Sequence, residues 1–506
     1  MDSEIAPQFP RTLRRLLLIV ITLIVSGIMG SALIASWNEP QVASRLELYQ
    51  TDLLLQATAW EGAGLPEEQV TTLRRNILGE TPLADAQKAY ESVRATAVNT
   101  LNSSDVTNGA TSPRLQTALE EQAELLDLLD LRLGILAAEQ DDVTAAQEHW
   151  ETVKSRHARG DRLWRTADTL TGLWGDATPP NNSEPLLTKT LQGWFQKRAL
   201  AQYYERTQAA ESLAQLEATE ADTAAGLIFT LAAVGIFPTI GALSGMLLLI
   251  SLGIQRLLRG KDALLAQNRD RGWETPWTAE TIWLVVVGGF LFMGQLVVPL
   301  MISPLRGLLA PNIRGQAIFA LSYYLLMSAG TIAVLWLAIR AYRPLTADWF
   351  KVTVRSRWWL WGVGGYLVAL PLMLTVSVLN QQIWQGQGGS NPLLQTVLEA
   401  QDPIALAIFF ATASIAAPLF EELLFRGFLL PSLTRYLSVW GAIIVSSLIF
   451  AIAHLSLSEI LPLTVLGMVL GVVYTRSRNL LAPMLLHSAW NSITMLGLFL
   501  LGSSAN

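Results

Sequence analysis

Residues 403–430, PIALAIFFATASIAAPLFEELLFRGFLL, join a long apolar run to three charged side chains. The run from Pro403 to Phe420 is close to the roughly 20 apolar residues that a membrane-spanning helix needs. Glu421, Glu422 and Arg426 follow it in an equally apolar setting. Because ionisable groups inside apolar spans are expensive and usually functional, this stretch predicts both a membrane helix and a candidate site.

The composition of the whole chain also predicts a membrane protein. Of 506 residues, 51% are hydrophobic and only 15% are charged, which is unusual for a soluble protein. The chain has no cysteine, so disulfides, thiolate metal sites and cysteine nucleophiles are excluded. Any chemistry must therefore come from carboxylates, imidazoles, hydroxyls or amides.

Apolar runs of this kind recur along the chain and predict an all-α, polytopic transmembrane helical bundle with nine crossings. The predicted crossings are 16–37, 226–254, 281–302, 317–339, 358–379, 403–420, 439–455, 460–474 and 480–501. We interpret the first as an uncleaved anchor, because its apolar run is longer than the core of a cleaved signal peptide.

Between residues 38 and 225 the chain is polar, and its apolar residues recur at helical spacing, which predicts an extramembrane helical domain. Breaks between helices are predicted at 62–66, 102–113 and 175–185, where Gly, Asn, Ser and Pro cluster. This region holds 29 acidic and 16 basic residues, and the rest of the chain holds 12 and 19. The acidic balance argues against nucleic-acid binding, which needs a clustered basic surface.

The basic residues of the loops predict the orientation, since cytoplasmic loops carry excess Lys and Arg. With the crossings above, most basic loop residues fall on one side, which we expect to be cytoplasmic together with the N-terminus. The acidic domain is then expected on the opposite side. Arg306 and Arg314 are the exceptions.

Two further ionisable residues lie in apolar spans, His454 and His487, and the other two histidines of the chain lie in the acidic domain. Residues four apart share a helix face, so Glu422 and Arg426 are expected to neutralise each other. Glu421 then points elsewhere and is the candidate general base. His487 and Asn491 are also four apart and are expected to face one cavity as hydrogen-bond donors to a single oxygen.

These groups allow more than one chemistry. A carboxylate base with imidazole and amide donors suits hydrolysis by activated water. Glu421, His454 and His487 could instead hold a divalent metal such as zinc, as a His2Glu set. An ion-coupled transporter would use similar groups as a proton relay, and a non-proteolytic assembly factor would use the acidic domain to bind a protein partner.

Taken in order, the motifs Glu421-Glu422-x-x-x-Arg426, Phe450-x-x-x-His454 and His487-x-x-x-Asn491 resemble the three signature motifs of the CPBP intramembrane proteases. This is the CAAX-prenyl-protease and bacteriocin-processing group, also called the Abi family. The resemblance covers roughly residues 405–501. It does not cover the anchor or the acidic domain.

The resemblance implies an intramembrane endopeptidase acting on a membrane-associated peptide or protein. It implies that Glu421 activates water with help from His454, and that His487 and Asn491 stabilise the oxyanion. The family is classed as metalloprotease, although a metal-free glutamate mechanism has been argued for its eukaryotic branch. The expected domains are 1–37 (basic flank and anchor), 38–225 (acidic domain), 226–400 (transmembrane helices and loops) and 401–506 (catalytic membrane core).

The predicted crossings leave a conflict of depth. Glu421 should lie near the cytoplasmic end of its helix, whereas His454 falls late in a span that runs outwards. Either the span 439–455 is broken or re-entrant, or Glu421 lies deeper in its helix than the predicted boundary at Phe420 implies. The second explanation requires only that the helix continue beyond its predicted end at Phe420.

Overall fold

The computed structural model of the chain describes residues 11–37, 39, 41–62, 64–105, 113–175, 183–310, 312–400 and 402–504. Regular structure in these ranges is helical, with no β-strand element among the described residues. Contacts divide them into two compact units. The predicted all-α, polytopic fold class is therefore confirmed.

The first unit contains described residues of 11–37, 239–384 and 388–496. Eight described helices are long and apolar enough to cross a membrane, and a ninth apolar helix is shorter. The long helices are α1 (Arg11–Ser36), α10 (Ala210–Arg259), α11 (Ala279–Leu309), α12 (Ile313–Tyr342), α13 (Trp358–Trp384), α15 (Pro403–Leu433), α17 (Leu457–Ser477) and α18 (Leu481–Ser504). The short helix is α16 (Val439–Ile452), and α14 (Pro392–Glu399) lies in the loop before α15.

Helix α15 corrects the predicted end of a crossing at Phe420. It continues to Leu433, so Glu421 lies well inside the helix. Two stretches of α15 have the wider π-helical turn, Thr412–Ala416 and Glu422–Leu429, and such turns are frequent at functional sites. The charged residues do not end the helix because Glu422 and Arg426 pair within it.

Helix α16 resolves the other part of the depth conflict. Its 14 residues are about 21 Å long at the α-helical rise, shorter than the roughly 30 Å hydrocarbon layer. The chain turns at Leu455, which has a positive φ of 58°, and α17 begins two residues later. The helix in the predicted span 439–455 is thus shorter than expected, because it ends at Ile452, before His454.

Helices α16 and α17 approach each other closely at a glycine. A Cβ added at Gly467 would lie 2.8 Å from the Cβ of Ser447, closer than packed side chains allow. The absence of a side chain lets the two backbones meet, and it leaves the Gly467 carbonyl open to a side chain from α15.

The second unit contains described residues of 39–238 with 385–387 and 497–504. Its helices are α2 (Val42–Ala57), α3 (Glu67–Leu78), α4 (Pro82–Asp105), α5 (Pro113–Ala138), α6 (Val143–Arg156), α7 (Arg162–Trp174), α8 (Glu184–Thr190) and α9 (Gly193–Arg206). The break predicted at 62–66 lies between α2 and α3. The breaks predicted at 102–113 and 175–185 include residues 106–112 and 176–182, which lie outside the described residues.

Trp150 anchors the core of this unit. Its ring is fully buried, and its indole N–H donates to the Leu131 carbonyl at 3.2 Å. A Cβ at Gly134 would lie 2.2 Å from the indole nitrogen, so only glycine leaves room for the ring against α5. Burial of such a large apolar side chain is a main source of stability for a helical domain.

A buried acid joins three helices of the same unit. The Asp130 side chain is fully buried and lies 2.6 Å from Arg94 Nε, 2.8 Å from Arg156 Nη1 and 3.1 Å from His149 Nδ1. Burial alone would raise the pKa of Asp130, but the hydrogen bonds from His149, Arg94 and Arg156 hold this pKa below its usual value. A lowered pKa stabilises the fold above about pH 4, and this contribution is lost as the pH falls through the lowered value.

We expect Asp130→Asn to destabilise this unit by about 2 kcal/mol at neutral pH, because the substitution removes charge-assisted bonds from two partly exposed arginines. Hydrogen exchange of α4, α5 and α6, measured by mass spectrometry on the full-length protein, should become faster. Asp168→Asn is the matched control, since Asp168 is half exposed and lies 3.7 Å from Lys154. Equal exchange rates in the two variants would show that Asp130 does not link these helices.

Candidate functional site

A buried ion pair lies at the centre of the site in α15. Glu422 and Arg426 have 0% and 1% of their side chains exposed, and Arg426 Nη1 donates to Glu422 Oε1 at 2.8 Å. Arg426 Nη2 donates to the Gly467 carbonyl at 3.0 Å, and its guanidinium carbon lies 4.8 Å from the centre of the Phe450 ring. The i,i+4 pairing expected from the sequence is present.

His487 of α18 joins this pair and fixes the direction of its own ring. Its Nδ1 lies 2.9 Å from Glu422 Oε1, the oxygen that also accepts from Arg426. A carboxylate oxygen can only accept, so Nδ1–H is the donor. Nε2, on the other side of the ring, is then left facing Glu421.

Glu421 lies between an imidazole and a phenol. Its Oε2 is 3.9 Å from His487 Nε2, and its Oε1 accepts a hydrogen bond from the Tyr324 hydroxyl at 3.0 Å. Its side chain is 14% exposed, whereas that of Glu422 is fully buried. The two adjacent carboxylates thus have different surroundings, with one paired to a cation and the other more accessible.

His454 lies just beyond the end of α16. Its Nδ1–H donates to the Phe450 carbonyl at 2.8 Å, and its ring packs edge-on against the Phe450 ring at 4.9 Å. The same phenylalanine ring lies 5.9 Å from the His487 ring. Phe450 therefore contacts both imidazoles, and no hydrogen bond joins His454 to Glu421 in the part of the chain that the structure describes.

Asn491 bonds to the backbone of α15. Its Nδ2 donates to the Ala413 carbonyl at 2.7 Å, whereas His487 Nδ1 donates to Glu422. Ala417 N–H bonds to the carbonyl of Thr412, five residues back. The same pattern would pair the Ala413 carbonyl with Pro418, which has no N–H, and Asn491 supplies the missing donor.

Two polar residues of this region were not singled out from the sequence. Tyr324 of α12 was missed because a tyrosine in an apolar span is usually a packing residue. Glu459 of α17 interacts electrostatically with His454, and its Oε1 accepts from the Asn391 backbone N–H at 2.7 Å. Glu459 carried a signal that could have been read, since it is an acid immediately before the predicted crossing 460–474.

Of the predicted metal ligands Glu421, His454 and His487, the first and last face each other at 3.9 Å. Among the described residues, no group of three or more His, Asp or Glu side chains is arranged to hold a metal ion. In both histidines Nδ1 is engaged in a hydrogen bond, which orients Nε2 for proton transfer as well as it would for ligation. The donor set as arranged thus does not fit the three-ligand centre expected from the sequence.

Comparisons with known proteins cover this part of the chain. A family model described as "Type II CAAX prenyl endopeptidase Rce1-like" matches residues 403–493. These residues include all six predicted site residues and exclude α12. No solved structure matches the chain.

Curated relatives match over a similar length. The chain is 26% identical over 137 residues to "Putative membrane peptidase YdiL" of Bacillus subtilis, which is 27% of this chain and 55% of the relative. It is 29% identical over 142 residues to "Membrane-embedded CAAX protease MroQ" of Staphylococcus aureus, or 27% and 56% of the two chains. It is 30% identical over 134 residues to "UPF0177 protein YxdF" of Lactococcus lactis, or 26% and 72%. The chain thus spans little more than half the length of the first two relatives.

Substitution of Arg426 should show how strongly the site depends on its ion pair. We expect Arg426→Met to destabilise the protein by about 3–5 kcal/mol, because it leaves the Glu422 charge buried without its cation. The double variant Glu422→Gln/Arg426→Met should recover part of this loss, since no charge then remains. Tryptophan fluorescence during thermal unfolding of the purified protein measures both effects.

Arg269→Met serves as a control for the loss of an arginine, because the Arg269 side chain is about half exposed, at 45%. Its unfolding temperature should stay close to that of the unsubstituted chain. If the double variant were as unstable as Arg426→Met alone, the pairing energy assigned to Glu422 and Arg426 would be wrong.

Proposed function

Because the chain belongs to the CPBP family of intramembrane proteases, we propose that it is an endopeptidase that hydrolyses peptide bonds of a membrane-associated peptide or protein. One observation carries the proposal. Glu421 Oε2 of α15 and His487 Nε2 of α18 face each other at 3.9 Å, and the other two charges of α15, Glu422 and Arg426, neutralise each other.

This separation suits a water molecule as the nucleophile. The two atoms are too far apart for a direct hydrogen bond, yet a water about 2.8 Å from each can contact both. We assign Glu421 the role of general base. It removes a proton from the water as the oxygen attacks the carbonyl carbon of the peptide bond.

The proton taken up by Glu421 is used again in the second half of the reaction. The attack forms a carbon–oxygen bond and a tetrahedral intermediate with a negatively charged oxygen. Glu421 returns its proton to the amide nitrogen as the carbon–nitrogen bond breaks, which leaves a carboxylic acid and an amine. Hydrogen-bond donors beside the oxyanion lower the barrier because they stabilise charge that develops only in the transition state.

The family motifs assign the remaining roles. His454 is assigned to assist water activation, and Asn491 and His487 are assigned to the oxyanion. Because Nδ1–H of His487 already donates to Glu422, this histidine can donate to the oxyanion only as an imidazolium with a hydrogen on both ring nitrogens. The bond from Asn491 to the Ala413 carbonyl uses one of its two amide hydrogens, so the other is the one available to substrate. Glu422 and Arg426 act on the reaction through His487, because they determine which ring nitrogen carries the proton.

The positions of the basic residues support a proposal for the orientation of the chain in the membrane. We propose that the N-terminus and the basic loops are cytoplasmic. The acidic residues 38–225 are then on the opposite side of the membrane, where they are available to a protein partner. Arg314, an exception on the far side, forms an ion pair with Asp402 at 2.6 Å.

We expect Glu421→Ala and His454→Ala to abolish cleavage while leaving the helical content unchanged. The test compares the membrane proteomes of cells that express the unsubstituted chain or each variant, with new N-termini as the readout. Asp270→Asn is the control, because Asp270 is 89% exposed and far from the site along the chain. Unchanged processing of the same substrates in both alanine variants would refute the protease assignment.

The proposed mechanism contains no step through a metal, because its steps use only the Glu421 carboxylate, the two imidazoles and the Asn491 amide. We therefore expect cleavage by the purified protein to persist after treatment with 1,10-phenanthroline. A peptide with a prenylated cysteine near its carboxyl terminus is the first substrate to use, given the description of the family model. Loss of cleavage that zinc restores, with one zinc bound per chain, would contradict this mechanism.

A further inference from the structure

Helix α12 contributes a polar group to the site although it lies outside the residues 403–493 that the family model matches. The group is the hydroxyl of Tyr324, which donates to Glu421 Oε1 at 3.0 Å. A second acceptor, the Ala417 carbonyl, lies at 3.4 Å, and the ring packs edge-on against Phe420 at 6.0 Å. Tyr324 therefore contacts one full turn of α15 at the position of the candidate base.

The two oxygens of Glu421 are distinguished by this contact. Oε1 accepts from Tyr324, and Oε2 faces His487 Nε2. A carboxylate held at one oxygen by a buried donor cannot rotate freely about its last side-chain bond. The hydroxyl thus keeps the other oxygen directed at the water position shared with His487.

The adjacent residue on α12, Tyr323, has a hydroxyl with a purely structural role. Tyr323 donates to the backbone carbonyl of Gly294 in α11 at 2.6 Å. Neighbouring residues on a helix point about 100° apart, so the two tyrosines face different helices. One hydroxyl satisfies a backbone acceptor, and the other contacts the one carboxylate that the proposed mechanism requires.

We propose that Tyr324 is a positioning residue that holds the Glu421 carboxylate in the orientation needed to take a proton from water. The proposal rests on the proposed proteolytic function. It extends the working site beyond the three motifs to a helix that precedes them in the chain.

The first test is kinetic. Full-length protein in phosphatidylcholine vesicles is assayed with a quenched fluorescent peptide that carries a farnesylated cysteine four residues from its carboxyl terminus. For Tyr324→Phe we expect kcat to fall by about 10- to 100-fold, the range for loss of one hydrogen bond to a charged group, with KM nearly unchanged. Tyr323→Phe should retain kcat, because its hydroxyl bonds only to backbone.

The second test does not depend on the peptide. Infrared difference spectra between the unsubstituted chain and Glu421→Gln identify the carboxyl band of Glu421. We expect this band to shift in Tyr324→Phe, because its hydrogen-bond donor is gone, and to stay in place in Tyr323→Phe. A structural role in helix packing would not produce this difference between the two phenylalanine variants.

The outcomes separate the two proposals. An unshifted Glu421 band in Tyr324→Phe, or full kcat in that variant beside an inactive Glu421→Gln, would overturn the positioning role and leave the protease function standing. Cleavage that is equally fast in the unsubstituted chain and in Glu421→Gln would refute the proteolytic mechanism and with it the role of Tyr324.

Discussion

The burial of Glu422 and Arg426 in one helix is the constraint on which the site depends. Either charge alone would be costly to remove from water, and the loss is offset only when both are present with good hydrogen bonds. Glu422 Oε1 accepts from Arg426 and from His487, and Arg426 also bonds to Gly467. The pair thus ties α15 to α17 through the Gly467 carbonyl and to α18 through His487.

From this pair the roles of two neighbouring carboxylates follow. Glu422 has a structural role, because its Oε1 accepts hydrogen bonds from both Arg426 and His487. Glu421 is directed away from Arg426 and is more exposed, with a phenol at one oxygen and an imidazole near the other. Adjacent residues of the same type can serve different purposes because the helix turns by about 100° between them.

The sequence correctly predicted contacts that depend only on the spacing of residues within one helix. The i,i+4 pair of Glu422 and Arg426 was readable because both residues lie in the same helix, and the family resemblance was confirmed by the comparisons. The roles of the six candidate residues stay predictions. The end of α15 was misjudged because charged residues usually mark the edge of an apolar span, a rule that fails when the charges neutralise each other.

Contacts between elements were not readable from one sequence. Nothing local in the chain relates Tyr324 to Glu421, since the contact spans 97 positions. One part of the Asn491 contact could be read from the sequence, because Pro418 has no N–H and so removes a backbone donor. Which carbonyl is left without a donor depends on the wide turn that precedes the proline, and the sequence does not show this turn. The convergence of three metal ligands was an inference from residue type, and residue type does not specify distance.

The protonation state of His487 tests the central claim most directly. The chain has only four histidines, so solid-state NMR of 15N-histidine protein in lipid vesicles can resolve them, with His487→Gln for assignment. For the protein without substrate, the account predicts a proton on Nδ1 and a free Nε2 whose resonance responds to Glu421→Gln. A proton on Nε2 with a bare Nδ1, or an Nε2 resonance indifferent to Glu421, would contradict it.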